Sequence, residues 1–451
     1  MTASQERVAA ASGSVGWLLY EQAKALIPGG TQLLSKRPEM FLPSGWPCYF
    51  QRAKGCRVWD LEGREFIDMT INGIGACLLG FADDAVDAAV KACIDRGTMC
   101  TLNDPAELTL AQRLIALHPW AERVRYARSG GEAMAVAVRI ARAATGRDVV
   151  LFCGYHGWHD WYLSANLAED RALDGHLLPG LAPKGVPRGL TGTALPFRYG
   201  EVDELRSLLE RRGKEVAAIV MEPMRYDDPP AGFLEQVRAL ADEHGAVLIF
   251  DEITSGWRHH LGGVHLKFGV SPDVAVFAKS MSNGYPMAAI VGRPFPMDAA
   301  QESFISSTYW TESIGPTAAL ATLERMQALD LPQRLARAGE QVREGWQRLI
   351  ERHGLPAKVA GRPALMHMSF ELGSAQASRS LVTLLTQLML DRGFLANAAY
   401  YATAAHDSAV IDRYLAALDE SFGELRAALD QGDVARHLRG PVAHSGFQRL
   451  T

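Results

Sequence analysis

Two wholly apolar runs, Val216-Ala217-Ala218-Ile219-Val220-Met221 and Ala246-Val247-Leu248-Ile249-Phe250, flank a stretch from 232 to 244 whose apolar residues recur at helical spacing. Runs with no polar face are strands buried on both sides, and a helix joining two of them makes a β-α-β unit with parallel strands. A parallel sheet must be covered by helices on both faces, so this feature commits the chain to the α/β class. Further strands are predicted at 124–127, 149–152, 274–277 and 288–291, and helices at 83–96, 105–117 and from 131 through 144.

With 451 residues, nearly half of them hydrophobic, the chain is too long for one ordinary core. We expect a large domain with a mostly parallel central sheet flanked by helices over 61–330, and a smaller α+β domain over 331–451 completed by an N-terminal segment, 1–60. A β-hairpin is predicted at 56–68 with its turn at Glu62-Gly63. Residues 164–200 read as a long irregular excursion of the kind that covers a site, and the residues after Gln431 as weakly ordered.

The formal charge of −5 is slight and the basic residues are dispersed, which argues against nucleic acid and anionic membranes as partners and leaves small molecules. Six cysteines show neither a C-x-x-C pair nor a zinc spacing, so no metal is expected, and they read as reduced thiols. The first residues lack the apolar core of a signal peptide, and no run of about 18 apolar residues follows. A cytoplasmic protein is the expectation.

The chemistry-bearing residues cluster where strands end. Lys279 follows the run Val274-Ala275-Val276-Phe277-Ala278 and is either a solvated loop cation or a desolvated amine suited to Schiff-base chemistry. Gly130 and Gly131 open a helix after a short strand. That turn is either a plain connection or a phosphate cradle, because free N–H groups and the positive end of the helix dipole meet there. Tyr155 sits in the aromatic loop Gly154-Tyr155-His156-Gly157-Trp158, whose glycines suit close approach to something flat. Glu222 and Asp251 close apolar strands; each is a structural cap or a functional acid, since a carboxylate there is costly without a partner. Pyridoxal phosphate needs an anion site, a ring-stacking face, an acid for its pyridine nitrogen and an amine for its aldehyde, and these four kinds of group are present together.

In this order, the motifs Ser129-Gly130-Gly131-Glu132-Ala133, Gly154-Tyr155-His156-Gly157, Phe250-Asp251-Glu252-Ile253 and Ala278-Lys279 resemble those of the class III (subgroup II) pyridoxal-phosphate aminotransferases, near the glutamate-1-semialdehyde aminomutase branch. The resemblance implies fold type I and an internal aldimine on Lys279, which also shuttles the proton. It places Asp251 on the pyridine nitrogen, Tyr155 and Ile253 on the two ring faces, and Gly130 and Gly131 on the phosphate. Glu222 would lie near the phenolic oxygen or the substrate. It further implies a homodimer with active sites at the subunit interface, in which Thr308 or a neighbouring hydroxyl reaches the partner's phosphate. Read from the residues alone, Lys36 and Arg37 either face water or meet a substrate carboxylate or phosphate.

The chain also departs from the aminomutase pattern. Gly131 stands where a hydroxyl is usual, Leu33 and Lys36 stand near an expected serine and arginine, and Ile74 or Gly73 replaces a tryptophan. The expected activity is therefore ping-pong transfer of an amino group from an amino acid to a ketone or aldehyde. The alternatives are an intramolecular aminomutase or an epimerase, and then a non-catalytic protein on the same fold, which would have no need to keep Lys279 and Asp251.

Overall fold

The computed structural model describes residues 14–169, 171–176, 179–224 and 227–446. Two compact units divide at Asp83/Asp84 and Pro332/Gln333: residues 84–332 form one, and the chain on either side of them forms the other. The flanking unit opens with helix α1 (Val15–Leu26) and strands β1 (Phe50–Lys54), β2 (Arg57–Asp60) and β3 (Glu65–Asp68). Strands β2 and β3 make the hairpin read from sequence, with Val58 opposite Phe66. Its turn is held by the Asp60 carboxylate, which accepts from the Glu62 and Arg64 N–H groups at 3.1 and 2.8 Å.

The central unit carries α2 (Asp84–Arg96), α3 (Pro105–Leu117), β4 (Arg123–Ala127), α4 (Gly130–Thr145), β5 (Val149–Cys153) and β6 (Ala194–Pro196). It continues with α5 (Val202–Arg212), β7 (Val216–Met221), α6 (Phe233–His244), β8 (Val247–Asp251), β9 (Val274–Phe277), β10 (Ala288–Gly292) and α7 (Ile314–Ala328). The chain then returns through α8 (Leu331–His353), β11 (Ala357–Arg362), β12 (Leu365–Phe370), α9 (Ala375–Asp391), β13 (Phe394–Leu395), β14 (Ala399–Tyr401) and α10 (Ser408–Asp430). Strand β3 pairs in parallel with β13, which is why the hairpin stays with the flanking unit rather than opening the central one at residue 61.

The central sheet has the order β4-β10-β9-β8-β7-β5-β6. Strand β10 is antiparallel to both neighbours and every other pairing is parallel, so all strands but β10 point the same way. Residues alternate between the two faces. Val150, Phe152, Val220 and Ile249 pack under α4 with Met134, Ala137 and Ile140. On the other face, Leu151, Ile219, Leu248 and Phe250 pack under α5 and α6 with Leu205, Leu209, Phe233 and Val237. Each such buried Val, Leu, Ile, Phe or Met side chain stabilises the unit by about 1.5–3 kcal/mol. Covering both faces is what the fully apolar strand sequences require.

Two expectations change. The stretch 164–200 is not irregular throughout: Ala165–Ala168 is a helical turn, and β6 adds a parallel edge strand, where Pro196 is tolerated because no further strand needs its N–H. The described residues after Gln431 are tied down, with Arg439 gripping Asp391 through two bonds of 2.6 and 2.8 Å. Among the described residues no helix is long and apolar enough to cross a membrane.

Candidate active site

Because β4, β5, β7, β8 and β9 run the same way, the segments that follow them emerge on one edge of the sheet. This carboxyl edge is where open α/β sheets bind ligands. The register sets the neighbours: Cys153 pairs with Met221 and Met221 with Phe250, so Gly154, Glu222 and Asp251 stand one rung beyond on adjacent strands. Asp251 pairs with Val276, which puts Lys279 just past the end of the next strand.

Lys279 Nζ donates to Thr254 Oγ1 at 2.8 Å. Its backbone has φ +44°, a left-handed conformation that a non-glycine residue holds only where its surroundings enforce it. Asp251 is buried, and its two oxygens are fixed separately: the Ile253 N–H donates to Oδ1 at 2.9 Å, and His156 Nδ1 lies 2.8 Å from Oδ2. The adjacent acid faces elsewhere. Glu252 accepts from the His265 N–H at 2.9 Å and from the Ser255 hydroxyl, and His265 Nδ1 lies 2.8 Å from it, so it is a structural acid beneath the edge. Pairing through Thr254 and His156 was not anticipated. The signal available was local, since Thr254 follows Asp251 by three residues and His156 sits beside Tyr155.

Helix α4 begins after Ser129, whose side chain makes no capping bond, and its first turn presents N–H groups without carbonyl partners in the helix. Both glycines are tightly covered. A Cβ at Gly130 would lie 2.8 Å from Ile253 Cδ1, and one at Gly131 would lie 3.2 Å from the His159 ring. Gly157, at φ +101°, brings the loop after β5 so close that a Cβ there would sit 3.1 Å from Gly131 Cα. Tyr155 lies in that loop, edge-on to Tyr162 with ring centroids 5.9 Å apart.

Glu222 is buried and lines a cavity of about 600 Å³ with Gly154, His176, Tyr199 and Asp227. Thr308 is exposed, on a segment strapped to β4 and α4 by Arg125 and Arg139, which donate to the Ile305 and Phe304 carbonyls at 2.6 and 3.1 Å. The structure thus brings Lys279, Asp251, Ile253, Gly130, Gly131, Tyr155 and Glu222 to one edge of one unit. Lys36 and Arg37 belong to the flanking unit, where the Arg37 guanidinium lies across Gly29.

Residues 43–400 match the family described as Aminotransferase class-III. The chain belongs to that family. This aminotransferase is 32% identical over 421 residues to a 3-aminobutyryl-CoA aminotransferase of Cloacimonas acidaminovorans, covering 91% of the chain and 97% of the relative. It is 31% identical over 425 residues to a glutamate-1-semialdehyde 2,1-aminomutase of Syntrophobacter fumaroxidans, covering 90% and 96%. The pyridoxal-phosphate internal aldimine form of the FumI protein of Sphingopyxis sp. MTA144 shares the fold, with a TM-score of 0.83 at 24% identity over 93% of this chain and 98% of that one.

The aminotransferase is thus a pyridoxal-phosphate enzyme of fold type I acting on small molecules. Its site suits the cofactor. The edge offers an amine, a carboxylate with both oxygens oriented, and a helix start where the space a Cβ would need is already taken by Ile253 and His159.

Proposed function

We propose that the aminotransferase works by a ping-pong mechanism, moving an amino group from an amino-acid donor to a ketone or aldehyde acceptor, with Lys279 as the cofactor's covalent anchor. The observation that carries this reading is the placement of the Lys279 amine and the Asp251 carboxylate at the same ends of neighbouring parallel strands, β9 and β8. Bound pyridoxal phosphate supplies a protonated ring that accepts the electron pair left when the donor loses its Cα proton.

Asp251 supplies the negative charge that holds the pyridine proton, and the Ile253 N–H and His156 keep its oxygens from turning away. Lys279 Nζ would take the Cα proton and deliver it to the cofactor's C4′ carbon, with Thr254 Oγ1 as its resting partner. Gly130 and Gly131 offer backbone N–H groups to the phosphate. Tyr155 and Ile253 flank the ring, and Glu222 stands toward the phenolic oxygen or the substrate. Lys36 and Arg37 are cations suited to a substrate carboxylate or phosphate.

A homodimer with Thr308 reaching the partner's phosphate belongs to the same reading. Its support is the exposed, strapped segment that carries Thr308 between Phe304 and Tyr309, which are 88% and 70% exposed, since apolar surface of that kind is costly in water. A cytoplasmic location belongs to the same reading.

The test is a half-reaction. Adding amino donors to the pyridoxal form should move its absorbance to that of the pyridoxamine form, and silence with every donor would defeat the proposal. The aminomutase relative favours a second reading, an intramolecular amino shift. That activity would turn over a single substrate without any second keto acid.

A further inference from the structure

Arg258 is 1% exposed, one of the largest fully buried side chains of the protein, and the proton transfers above give it no part. An arginine is almost never buried so completely unless its guanidinium is engaged. Its Nε–H donates to the Thr254 carbonyl oxygen at 2.7 Å. Thr254 is also the residue whose Oγ1 accepts from Lys279 Nζ at 2.8 Å, so a buried cation holds the main chain of the residue that holds the amine. Among the described residues that carbonyl accepts from Arg258 alone. The rest of the turn after β8 is fixed by its own main chain. The Gly256 N–H donates to the Glu252 carbonyl at 2.9 Å, and Trp257, at φ +70°, donates its N–H to the Gly262 carbonyl at 3.0 Å. A Cβ at Gly256 would lie 3.0 Å from Phe277 Cδ1, so the turn rests on the end of β9 just ahead of Lys279. Thr254 depends on a side chain where its neighbours depend on backbone.

A lysine carries its ammonium on a flexible four-carbon stem, and the place of the amine is set by what it meets at the tip. A reacting group misplaced by about 1 Å can lose on the order of 100-fold in rate. We infer that Arg258 is a positioning residue for Lys279: its Nε–H fixes the Thr254 main chain, and Thr254 Oγ1 thereby stands where it holds Nζ. This inference rests on the reading of Lys279 as the cofactor's covalent anchor.

The test uses two substitutions of matched length in the full chain. In Arg258→Gln the amide nitrogen is as many bonds from Cα as Nε is in arginine, so an N–H still reaches the Thr254 carbonyl; in Arg258→Met a methyl group stands there. Both lose the charge and the far end of the guanidinium, so their packing losses are shared and a difference between them reports the bond. Arg258→Lys keeps both a cation and a donor. Two rates are read: fixation of added pyridoxal phosphate to position 279 of cofactor-free protein, trapped by borohydride and located by mass, and the donor half-reaction of the loaded enzyme at saturating donor. Arg258→Met should slow both about tenfold, the effect of one lost hydrogen bond, while Arg258→Gln and Arg258→Lys stay within about twofold of the parent. Thr254→Val combined with Arg258→Met should be no slower than Thr254→Val alone, because two residues acting through one contact are not additive. Equal slowing in the glutamine and methionine variants would mark Arg258 as packing or charge only and overturns the inference. So does a methionine variant as fast as the parent, or a double variant that shows the product of the two single losses. Should Arg258→Met not fold, a tenfold slowing in folded Arg258→Gln or Arg258→Lys overturns it equally, and parent-like rates in both support it. If the parent itself fixes no cofactor at position 279, the anchor falls and this inference with it. A parent adduct beside equal glutamine and methionine rates leaves the anchor standing and removes only Arg258.

Discussion

His156 Nδ1 lies 2.8 Å from Asp251 Oδ2, and Nε2 of the same ring lies 3.0 Å from the Cys153 carbonyl oxygen. The imidazole therefore ties the loop after β5 to the end of β8 and fixes the carboxylate from the side opposite the Ile253 N–H. A carboxylate so placed acts through its charge. Asp251→Asn should keep the cofactor bound but slow the donor half-reaction by roughly 10²–10³-fold, the scale for removing one preorganised electrostatic contact. Single-turnover absorbance measures this, and near-normal rates would contradict the role given to Asp251.

Lys279 and Thr254 separate anchoring from positioning. Lys279→Ala should abolish turnover and leave no cofactor fixed to position 279 by borohydride, while some pyridoxal phosphate still binds through its phosphate. Thr254→Val removes only the acceptor at 2.8 Å. Its fixed adduct should survive, with turnover lowered about tenfold, the effect of one misplaced hydrogen bond. Loss of the adduct in the valine variant would mean that Thr254 does more than position the amine.

Much of this edge is readable in the sequence because apolar runs report burial directly. Strands β5, β7, β8, β9 and β10 are buried along their whole length, and their ends identify Asp251 and Lys279. Strands β1 and β11 escaped notice for the converse reason: they are exposed or half-buried, so their sequences Phe50–Lys54 and Ala357–Arg362 carry no alternation to detect. Partners between loops were also hidden. Spacing says where His156, Thr254 and His159 lie in the chain, but whether a ring reaches Asp251 or Gly131 depends on how two strand ends pack. The tail was misread because long-range contacts, the Arg439–Asp391 ion pair and hydrogen bonds to Gln387 and Thr383, hold a stretch whose composition resembles a loose end.

Thr308 tests the assembly. If it serves the phosphate of a second subunit, Thr308→Val should weaken pyridoxal phosphate about tenfold without affecting pyridoxal. Unchanged affinity, measured at concentrations where the parent is dimeric by sedimentation, counts against the shared site.

Gly157 is a backbone requirement rather than a contact. At φ +101°, with Gly131 Cα 3.1 Å from where a Cβ would stand, Gly157→Ala is both strained and crowded. The strain is about 1–3 kcal/mol, and relief must come from lifting the loop off α4. A lower urea midpoint together with weaker cofactor affinity is expected. Lower stability with unchanged affinity would show that the loop's closeness to Gly131 is not used in binding.

Two buried histidines predict acid sensitivity of the fold. Burial pushes the His118 imidazole down to about 4, although its Nδ1 has the Leu114 carbonyl oxygen at 2.7 Å. Burial likewise pushes His406 down to about 4, with Nε2 at 2.9 Å from the Asp68 carbonyl oxygen. An unfolded imidazole takes up its proton near pH 6.5, so as pH falls from there toward 4 the unfolded chain gains protons that the folded chain refuses. Stability contributed by the neutral rings is full above pH 6.5, drains away between 6.5 and 4, and falls no further below that. A displacement of this size corresponds to roughly 3 kcal/mol per ring. His118→Phe removes one titrating group and can keep the ring contact with Phe277, whose centroid lies 4.9 Å away. Its urea midpoint should therefore fall less between pH 7 and 5 than the parent's. An identical slope in the two proteins would place the acid sensitivity elsewhere.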